Sequence, residues 1–254
     1  MNPQLKFAAA ATLALVALLP APSLAASVAS ASLTDFSYQL IDLTPDDGLV
    51  VSISFNSPQN SVQASNGGPD DFQTGVGSLS AAVSGAGSAT GLVIHVSALN
   101  SSLTATSNSS GDYTFATGEG RHFTAFTLSA NTQVIFTATA SVSITASDAA
   151  FENAISIARM QLEAPTGLWA GFSELVSPNF APLPVSGPVS SQASTVLSVG
   201  YANTSFDAIT GNVNTWARAV TVNGSLAPVP EPQTWAMLVG GLLLLGRFAL
   251  RRRN

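Results

Sequence analysis

Side chains able to do chemistry are few and scattered in this 254-residue sequence. With no cysteine and two histidines, the chain excludes a thiol nucleophile, a disulfide framework and a three-histidine zinc site. His95 falls on the polar side of a predicted strand and His122 follows Arg121 at a strand start, so both are predicted to be surface residues. No nucleophile elbow, phosphate loop or dinucleotide fingerprint occurs. We therefore predict no catalytic residue and no enzyme.

Two pairs of neighbouring aspartates, Asp46-Asp47 and Asp70-Asp71, are the best polar clusters. Carboxylates beside the carbonyl groups of a turn can bind Ca²⁺. Neither pair fits the spacing of an EF-hand loop, and Asp is common in Gly- and Pro-containing turns for backbone reasons alone. The pairs are therefore weak calcium candidates, and no cofactor is predicted.

Aromatic residues offer a second type of site, because sugars stack on exposed rings. The candidates for a sugar-binding surface are Tyr38, Tyr113, Trp169, Tyr201 and Trp216. Aromatic side chains of a β-sandwich also commonly fill its core, which is the competing interpretation. A hydrolase would in addition need two carboxylates facing each other roughly 5–10 Å apart in a groove.

Charge is distributed unevenly along the chain. Residues 26–229 contain three arginines, no lysine and 13 acidic side chains, a formal charge of −10, whereas the two ends hold the other five basic residues. Charged residues make up only 9% of the chain, against about 25% in ordinary domains. A body this acidic is repelled by phosphate backbones, so nucleic-acid binding is excluded.

Alternation of apolar and polar residues dominates the region between the two ends and predicts antiparallel strands with one buried face. The positions expected to face the core are Leu49, Val51, Ile53 and Phe55; Leu92, Ile94, Val96 and Ala98; and Val134, Phe136, Ala138, Ala140, Val142, Ile144 and Ala146. The third run exceeds the usual length of a strand, so a bulge or break is expected within it. A change of phase between Ala125 and Phe126 predicts another bulge.

Clusters of Gly, Pro, Asn and Asp predict turns at residues 44–48, 66–71, 108–112 and 117–120. Residues 148–164 fit either an amphipathic helix or a strand, and we favour a strand. Four prolines in residues 175–189 predict an extended connection or exposed loop. The succession of strands and turns predicts an all-β fold, an antiparallel β-sandwich or jelly roll.

The first 25 residues have the features of a secretory signal peptide. Lys6 precedes an apolar run at residues 7–19, which is too short for a comfortable membrane span and so argues against a retained helix. Small residues near the end of this segment predict cleavage by signal peptidase between Ala25 and Ala26, with a cut near Ala29 as the alternative.

The C-terminal segment is the most specific part of the sequence. Pro230-Glu231-Pro232 is expected to form a stiff, extended hinge, and residues 235–250 are expected to form a short apolar helix of about 24 Å, which is marginal for a bilayer. The helix is followed by a basic membrane stop, Arg251, Arg252 and Arg253, which places the C-terminus in the cytoplasm and the body outside.

The hinge, short helix and arginine cluster closely resemble the PEP-CTERM sorting signal over residues 229–254. Proteins with this signal occur in Gram-negative bacteria that make exopolysaccharide, and a membrane peptidase called exosortase recognises it. The resemblance implies export, processing of the tail and release to the cell surface or matrix. It makes Pro230, Glu231 and Pro232 a recognition element for a partner enzyme, whereas a permanent single-span anchor is the alternative.

These observations divide the chain into a signal peptide at 1–25, a Ser/Thr/Gly-rich all-β domain at 26–227 and a sorting signal at 228–254. The domain is flanked by an N-terminal signal-peptide helix and a single C-terminal transmembrane helix. The predicted function is that of a structural or interaction protein of the cell surface or exopolysaccharide matrix, held transiently in the inner membrane before release. A carbohydrate-binding module or adhesin is the alternative.

Overall fold

A computed structural model describes residues 26–99, 101–110, 114–147, 152–164, 169–177 and 188–224. The described residues form the strands β1 (Ala26–Asp42), β2 (Ile53–Ser65), β3 (Asp71–Gly75), β4 (Leu79–Val83), β5 (Gly87–His95), β6 (Ser101–Ser110), β7 (Phe115–Leu128), β8 (Thr132–Ala146), β9 (Glu152–Glu163), β10 (Trp169–Val176), β11 (Val189–Asn203) and β12 (Ile209–Asn223). No helix within these ranges is long and apolar enough to cross a membrane. The two predicted terminal helices lie outside the described residues.

The strands form two six-stranded sheets that pack face to face. Sheet A has the order β11-β8-β1-β6-β5-β4, and sheet B has the order β10-β9-β12-β7-β2-β3. Neighbouring strands run antiparallel in both sheets. The antiparallel β-sandwich predicted from the sequence is confirmed.

The strand predicted from the longest run of alternation is confirmed as β8, and the ambiguous segment at residues 148–164 contains a strand. In β8 the side chains from Val134 to Ile144 alternate regularly between the buried core and the outer face. The segment at residues 148–164 contains β9, which is a strand as favoured. Residues 178–187 of the proline-rich connection lie outside the described residues, although its first two residues still belong to β10.

The prediction of which side of β5 faces the core is wrong. Its buried side is formed by Gly87, Ala89, Gly91 and Val93, whereas Ile94 is 47% exposed. The larger side chains face outward because the two sheets approach too closely here for anything larger than Gly or Ala over most of the strand. Residues 117–120, predicted as a turn, lie within β7, where Gly118 and Gly120 allow the same close approach of the two sheets. Residues 108–110, the start of another predicted turn, continue β6.

The sequence predicted bulges within β7 and β8, and both predictions are wrong, because these strands keep regular alternation. The bulges lie instead in the strands that pair with them, β2 and β1. The extra residues lie in β1 between Thr34 and Ser37 and in β2 between Asn56 and Gln59. Each bulge contains a residue with positive φ, Asp35 or Ser57, which bends the strand locally.

Side-chain size varies along the core. Bulky rings meet near one end of the sandwich, where Phe126 and Phe136 lie 5.4 Å apart and Phe55 lies 6.3 Å from Phe136. Toward the other end the buried positions are mostly Ala, Gly and Ser, and β5 packs directly against β7. A Cβ on Gly91 would overlap the Glu119 carbonyl oxygen, so backbone contacts backbone between the sheets.

Candidate functional site

The predicted processing residues lie outside the described part of the chain, apart from Ala26, which follows the predicted cleavage site. Those outside are Ala25, Pro230, Glu231, Pro232, Arg251, Arg252 and Arg253. Ala26 begins β1, and its backbone N–H donates to Ser147 Oγ at 3.0 Å. The structure therefore shows where each terminal segment joins the domain.

A buried polar clamp joins the two sheets beside these attachment points. Ser27 Oγ donates to Asn223 Oδ1 at 2.6 Å, and Ser109 Oγ donates to the same oxygen at 2.9 Å. The Asn223 amide in turn donates to the Ser109 carbonyl at 2.9 Å. Because Ser27 lies in the first strand and Asn223 ends the last, both terminal segments leave the sandwich at the same end.

The two aspartate pairs are not brought together. The turn with Asp46 and Asp47 precedes β2 and the Asp70-Asp71 pair follows it, so the pairs lie at opposite ends of that strand. Asp47 accepts hydrogen bonds from Thr44 Oγ1 and from the Leu49 N–H, and these bonds lower the pKa of its carboxyl.

Asp71 likewise accepts the Ala82 N–H at 2.9 Å. Within the described residues no three His, Cys, Asp or Glu side chains form a possible metal site. These two carboxylates therefore hold turns and edges in place.

The three aromatic candidates whose side chains the structure describes, Tyr38, Tyr201 and Trp216, do not form one surface. Tyr38 packs edge-on against Phe55 at 5.3 Å, and Tyr201 packs against the core from β11. Trp216 projects from β12 on the outer face of sheet B. Tyr113 and the side chain of Trp169 lie outside the described residues.

Trp216 is surrounded by the three arginines of the body. The guanidinium carbons of Arg121, Arg159 and Arg218 lie 4.9, 5.1 and 5.8 Å from its ring centre. Strand register explains the arrangement, because Arg121 on β7 and Arg159 on β9 both pair directly with Trp216, and Arg218 follows it by two residues. We call Trp216 and these arginines the Arg–Trp cluster.

Two glutamates complete this cluster. Glu119 pairs with Arg121 and lies 3.9 Å from Arg218, and Glu174 pairs with Arg159. Cation–π contact and ion pairing together fix the planes of the guanidinium groups. Both glutamates are thereby used as partners for arginine.

An open groove adjoins the Arg–Trp cluster on the same face and has a volume of about 470 Å³. Its walls come from β2, β3, β7 and β12, and the β2 bulge leads directly into it. Arg121 is the charged member of the lining, and Phe72 is 61% exposed. We call this site the β2–β3 groove. Its lining also includes Gln59, Thr74, Phe123 and Asn214.

The prediction that both histidines lie on the surface is wrong for His122, which is 1% exposed. Its Nδ1 lies 2.7 Å from Asn60 Oδ1 and its Nε2 lies 3.1 Å from the Ala98 carbonyl oxygen. Ser101 Oγ lies 3.3 Å from Nδ1 of both His122 and His95. Burial lowers the pKa of His122 to about 4, the bond to Ala98 opposes this, and His95 lowers it further. Ser101 is fully buried, so this Ser–His contact presents no nucleophile at the surface.

Sequence reasoning missed the Arg–Trp cluster and the groove. One signal was available in the alternation of the strands. The three arginines of the body and Trp216 all occupy positions that alternate with buried residues and therefore lie on the outer face of a sheet. Trp216 on β12 pairs with Arg121 on β7 and with Arg159 on β9, which lie 95 and 57 positions earlier in the chain, so no local pattern in the sequence indicates that they are neighbours.

The fold is an antiparallel β-sandwich whose last strand, β12, ends at Asn223, shortly before the C-terminal segment of the chain. Residues 228–253 match the family model described as the PEP-CTERM protein-sorting motif. The motif indicates an exported protein sorted by an exosortase through a membrane-anchored tail. No curated protein and no solved structure matches the chain. The match covers residues 228–253 and carries no information on the function of the β-sandwich, which has to be inferred from the geometry of the sandwich itself.

Proposed function

We propose that this chain is a non-enzymatic structural or interaction protein of the cell surface or exopolysaccharide matrix. The observation that carries the proposal is the sorting motif at residues 228–253, which follows the last strand of a β-sandwich after a few residues. Export begins with the signal peptide at residues 1–25. An exosortase then processes the tail after the body has reached the outer side of the membrane.

The positions of the two attachment points support this sequence of events. Ser27 and Asn223 are hydrogen-bonded, so a signal peptide and a membrane tail would both hold the same end of the sandwich toward the bilayer. Cleavage between Ala25 and Ala26 leaves β1 whole. A cut at Ala29 would remove residues that pair with both β6 and β8.

The outer face of sheet A suits a hydrated, weakly charged matrix. Hydroxyl groups pair across neighbouring strands, with oxygen–oxygen distances of 2.7 to 2.9 Å. The pairs are Ser30 with Ser143, Ser37 with Thr137, Thr90 with Thr106, and Ser141 with Ser194. Such a surface exchanges hydrogen bonds with water or sugars without adding charge.

Mass spectrometry of the protein from wild-type cells and from cells lacking the exosortase tests the sorting step. We expect peptides from residues 233–254 to be absent from the mature protein of wild-type cells and present in the mutant strain. A variant with Pro230, Glu231 and Pro232 all replaced by alanine should retain the tail in both strains. The matched control is Gln233→Ala, which leaves the hinge intact and should be processed normally.

An intact tail in both strains would mean that the segment is a permanent anchor. Peptides beginning at Ala26 are expected in both strains, because signal peptidase acts independently of the exosortase. A mature protein that retains residues 1–25 would contradict the export route.

Carbohydrate binding is the second candidate function, and the β2–β3 groove is the observation that favours it. Exposed aromatic rings beside amide and hydroxyl groups are suited to the two faces of a sugar, its C–H surface and its hydroxyls. Glycan-array binding that Phe72→Ala abolishes would support this function, and no binding to any glycan would exclude it.

A further inference from the structure

We propose that the β2–β3 groove binds an acidic glycan through the carboxylate of a uronic acid, with Arg121 as the residue that recognises the charge. The inference rests on the second candidate function and adds the chemical class of the ligand. Sorting through the tail is independent of it.

Charge complementarity points to an anionic group. The body carries a formal charge of −10, yet its three arginines converge on Trp216 beside the groove. Arg121 contributes the groove's charged lining group, and its side chain is 48% exposed. Its shortest contact with Glu119 is made by Nε, and the two terminal nitrogens lie at the far end of the guanidinium group. That end of the guanidinium is the fork that pairs with a carboxylate in a bidentate manner.

The guanidinium group is also held in place before any ligand arrives. The Trp216 ring lies 4.9 Å from its carbon, and Glu119 fixes its Nε. Such preorganisation lowers the entropy lost on binding. The partly buried Glu119 also bridges toward Arg218, so the carboxylate is engaged by two cations of the Arg–Trp cluster.

The rest of the lining matches a sugar better than an acidic peptide. Phe72 and Phe123 offer ring surfaces, and Gln59, Asn214 and Thr74 offer amide and hydroxyl groups. Asn60 supports one wall from beneath, because its amide donates to the Gly77 carbonyl at 2.5 Å. A volume of about 470 Å³ lies within the range typical of ligand sites, about 300–1,000 Å³.

The acidic body restricts how densely charged the glycan can be. A chain with a carboxylate on every sugar would be repelled by a surface of net charge −10. A chain in which uronic acids alternate with neutral sugars places one carboxylate at Arg121 and adds less repulsion. We therefore expect preference for alternating acidic glycans over fully charged ones.

Isothermal titration calorimetry on the full chain, kept in a detergent without a sugar headgroup, tests the inference. The probes are a hyaluronan hexasaccharide, its carboxyl-reduced form, a hexamer of galacturonic acid and a tetraglutamate peptide. We expect the hyaluronan hexasaccharide to bind about tenfold more tightly than its carboxyl-reduced form and than the other two probes.

Two pairs of variants locate the site. Arg121→Gln should lose about tenfold in affinity for the acidic hexasaccharide and little for the reduced form. Its matched control is Arg159→Gln, which alters the same cluster outside the groove. Phe72→Ala should weaken both sugars, whereas Phe172→Ala, which removes a 70% exposed ring at the opposite edge of sheet B, should weaken neither. Circular dichroism confirms that each variant is folded.

The outcomes separate the inference from the functions on which it rests. Equal binding of the acidic and reduced hexasaccharides would overturn the uronic-acid assignment and leave carbohydrate binding intact. Absence of binding by both would overturn the assignment and the second candidate function together, without touching the sorting proposal. Comparable binding of tetraglutamate, or an Arg159→Gln effect equal to that of Arg121→Gln, would also overturn it.

Discussion

His122 lies between two oxygen atoms, Asn60 Oδ1 and the Ala98 carbonyl, in a pocket closed from solvent. Asn60 is oriented by its own donation to Gly77, so its oxygen faces the ring. A neutral imidazole has one N–H and can satisfy one of these acceptors. Burial nevertheless favours the neutral form, and His95 adds repulsion at a ring separation of 6.0 Å.

Stability is therefore expected to fall on acidification. The pKa of His122 is about 4 in the folded protein, below the ordinary 6.5, so the unfolded chain binds a proton that the folded protein does not. The contribution is fully present above about pH 6.5 and is lost as the pH falls toward 4, a change of about 3 kcal/mol. Urea unfolding between pH 7.5 and 4 measures it.

His122→Gln is the informative variant, because protonation of carboxylates near pH 4 also destabilises the parent protein. The variant should still lose stability near pH 4, where carboxylates are protonated. Between pH 6.5 and 4.5 its free energy of unfolding should depend less on pH than that of the parent protein. Identical slopes for parent and variant would show that His122 does not titrate with an altered pKa.

At the scale of the element, β5 and β7 pack more closely than side chains normally allow. A Cβ atom placed on Gly91 would overlap the Glu119 carbonyl oxygen. A Cβ atom placed on Gly118 would overlap the carbonyl oxygens of Thr90 and Thr106. These obstacles are backbone atoms on paired strands, so neither side can move without breaking the ladder of a sheet. The glycines that resembled turn residues are thus required for contact between the sheets.

Gly91→Ala should destabilise the protein by about 3 kcal/mol or more, because the added methyl group must separate two strands. Gly171→Ala is the matched control, since this strand glycine has no atom within 4 Å of its Cβ position. The control should be neutral or stabilising by up to about 1 kcal/mol. Urea unfolding compares the two, and a loss below about 1 kcal/mol for Gly91→Ala would mean that the sheets separate freely.

At the scale of the molecule, the first and last strands occupy central positions. β1 lies between β8 and β6, and β12 lies between β9 and β7. Neither sheet can be completed until strands far apart in the sequence have met. Ser27 and Asn223 then lock the two sheets together at the end from which both terminal segments leave.

Removal of the tail and removal of β12 should therefore have opposite consequences. A chain of residues 26–227 is expected to unfold cooperatively on heating, as the complete sandwich does. A chain of residues 26–208 lacks the strand that joins β9 to β7 and should show no cooperative transition. Far-UV circular dichroism during heating distinguishes them, and a cooperative transition in the shorter chain would refute the central role of β12.

Several features of this protein were determined by the sequence alone, because they depend on local order of residues. The sorting segment at residues 228–253 is recognised as a linear motif, and the alternation in β8 reports a half-buried strand directly. The tertiary structure decided which face of β5 is buried, where the bulges fall and why Gly118 is needed.

It also decided the candidate site. Arg121, Arg159 and Trp216 are unremarkable in isolation and become a cluster only through the register of β7, β12 and β9. Pairing between distant strands depends on the whole set of competing pairings, so no single stretch of sequence encodes it.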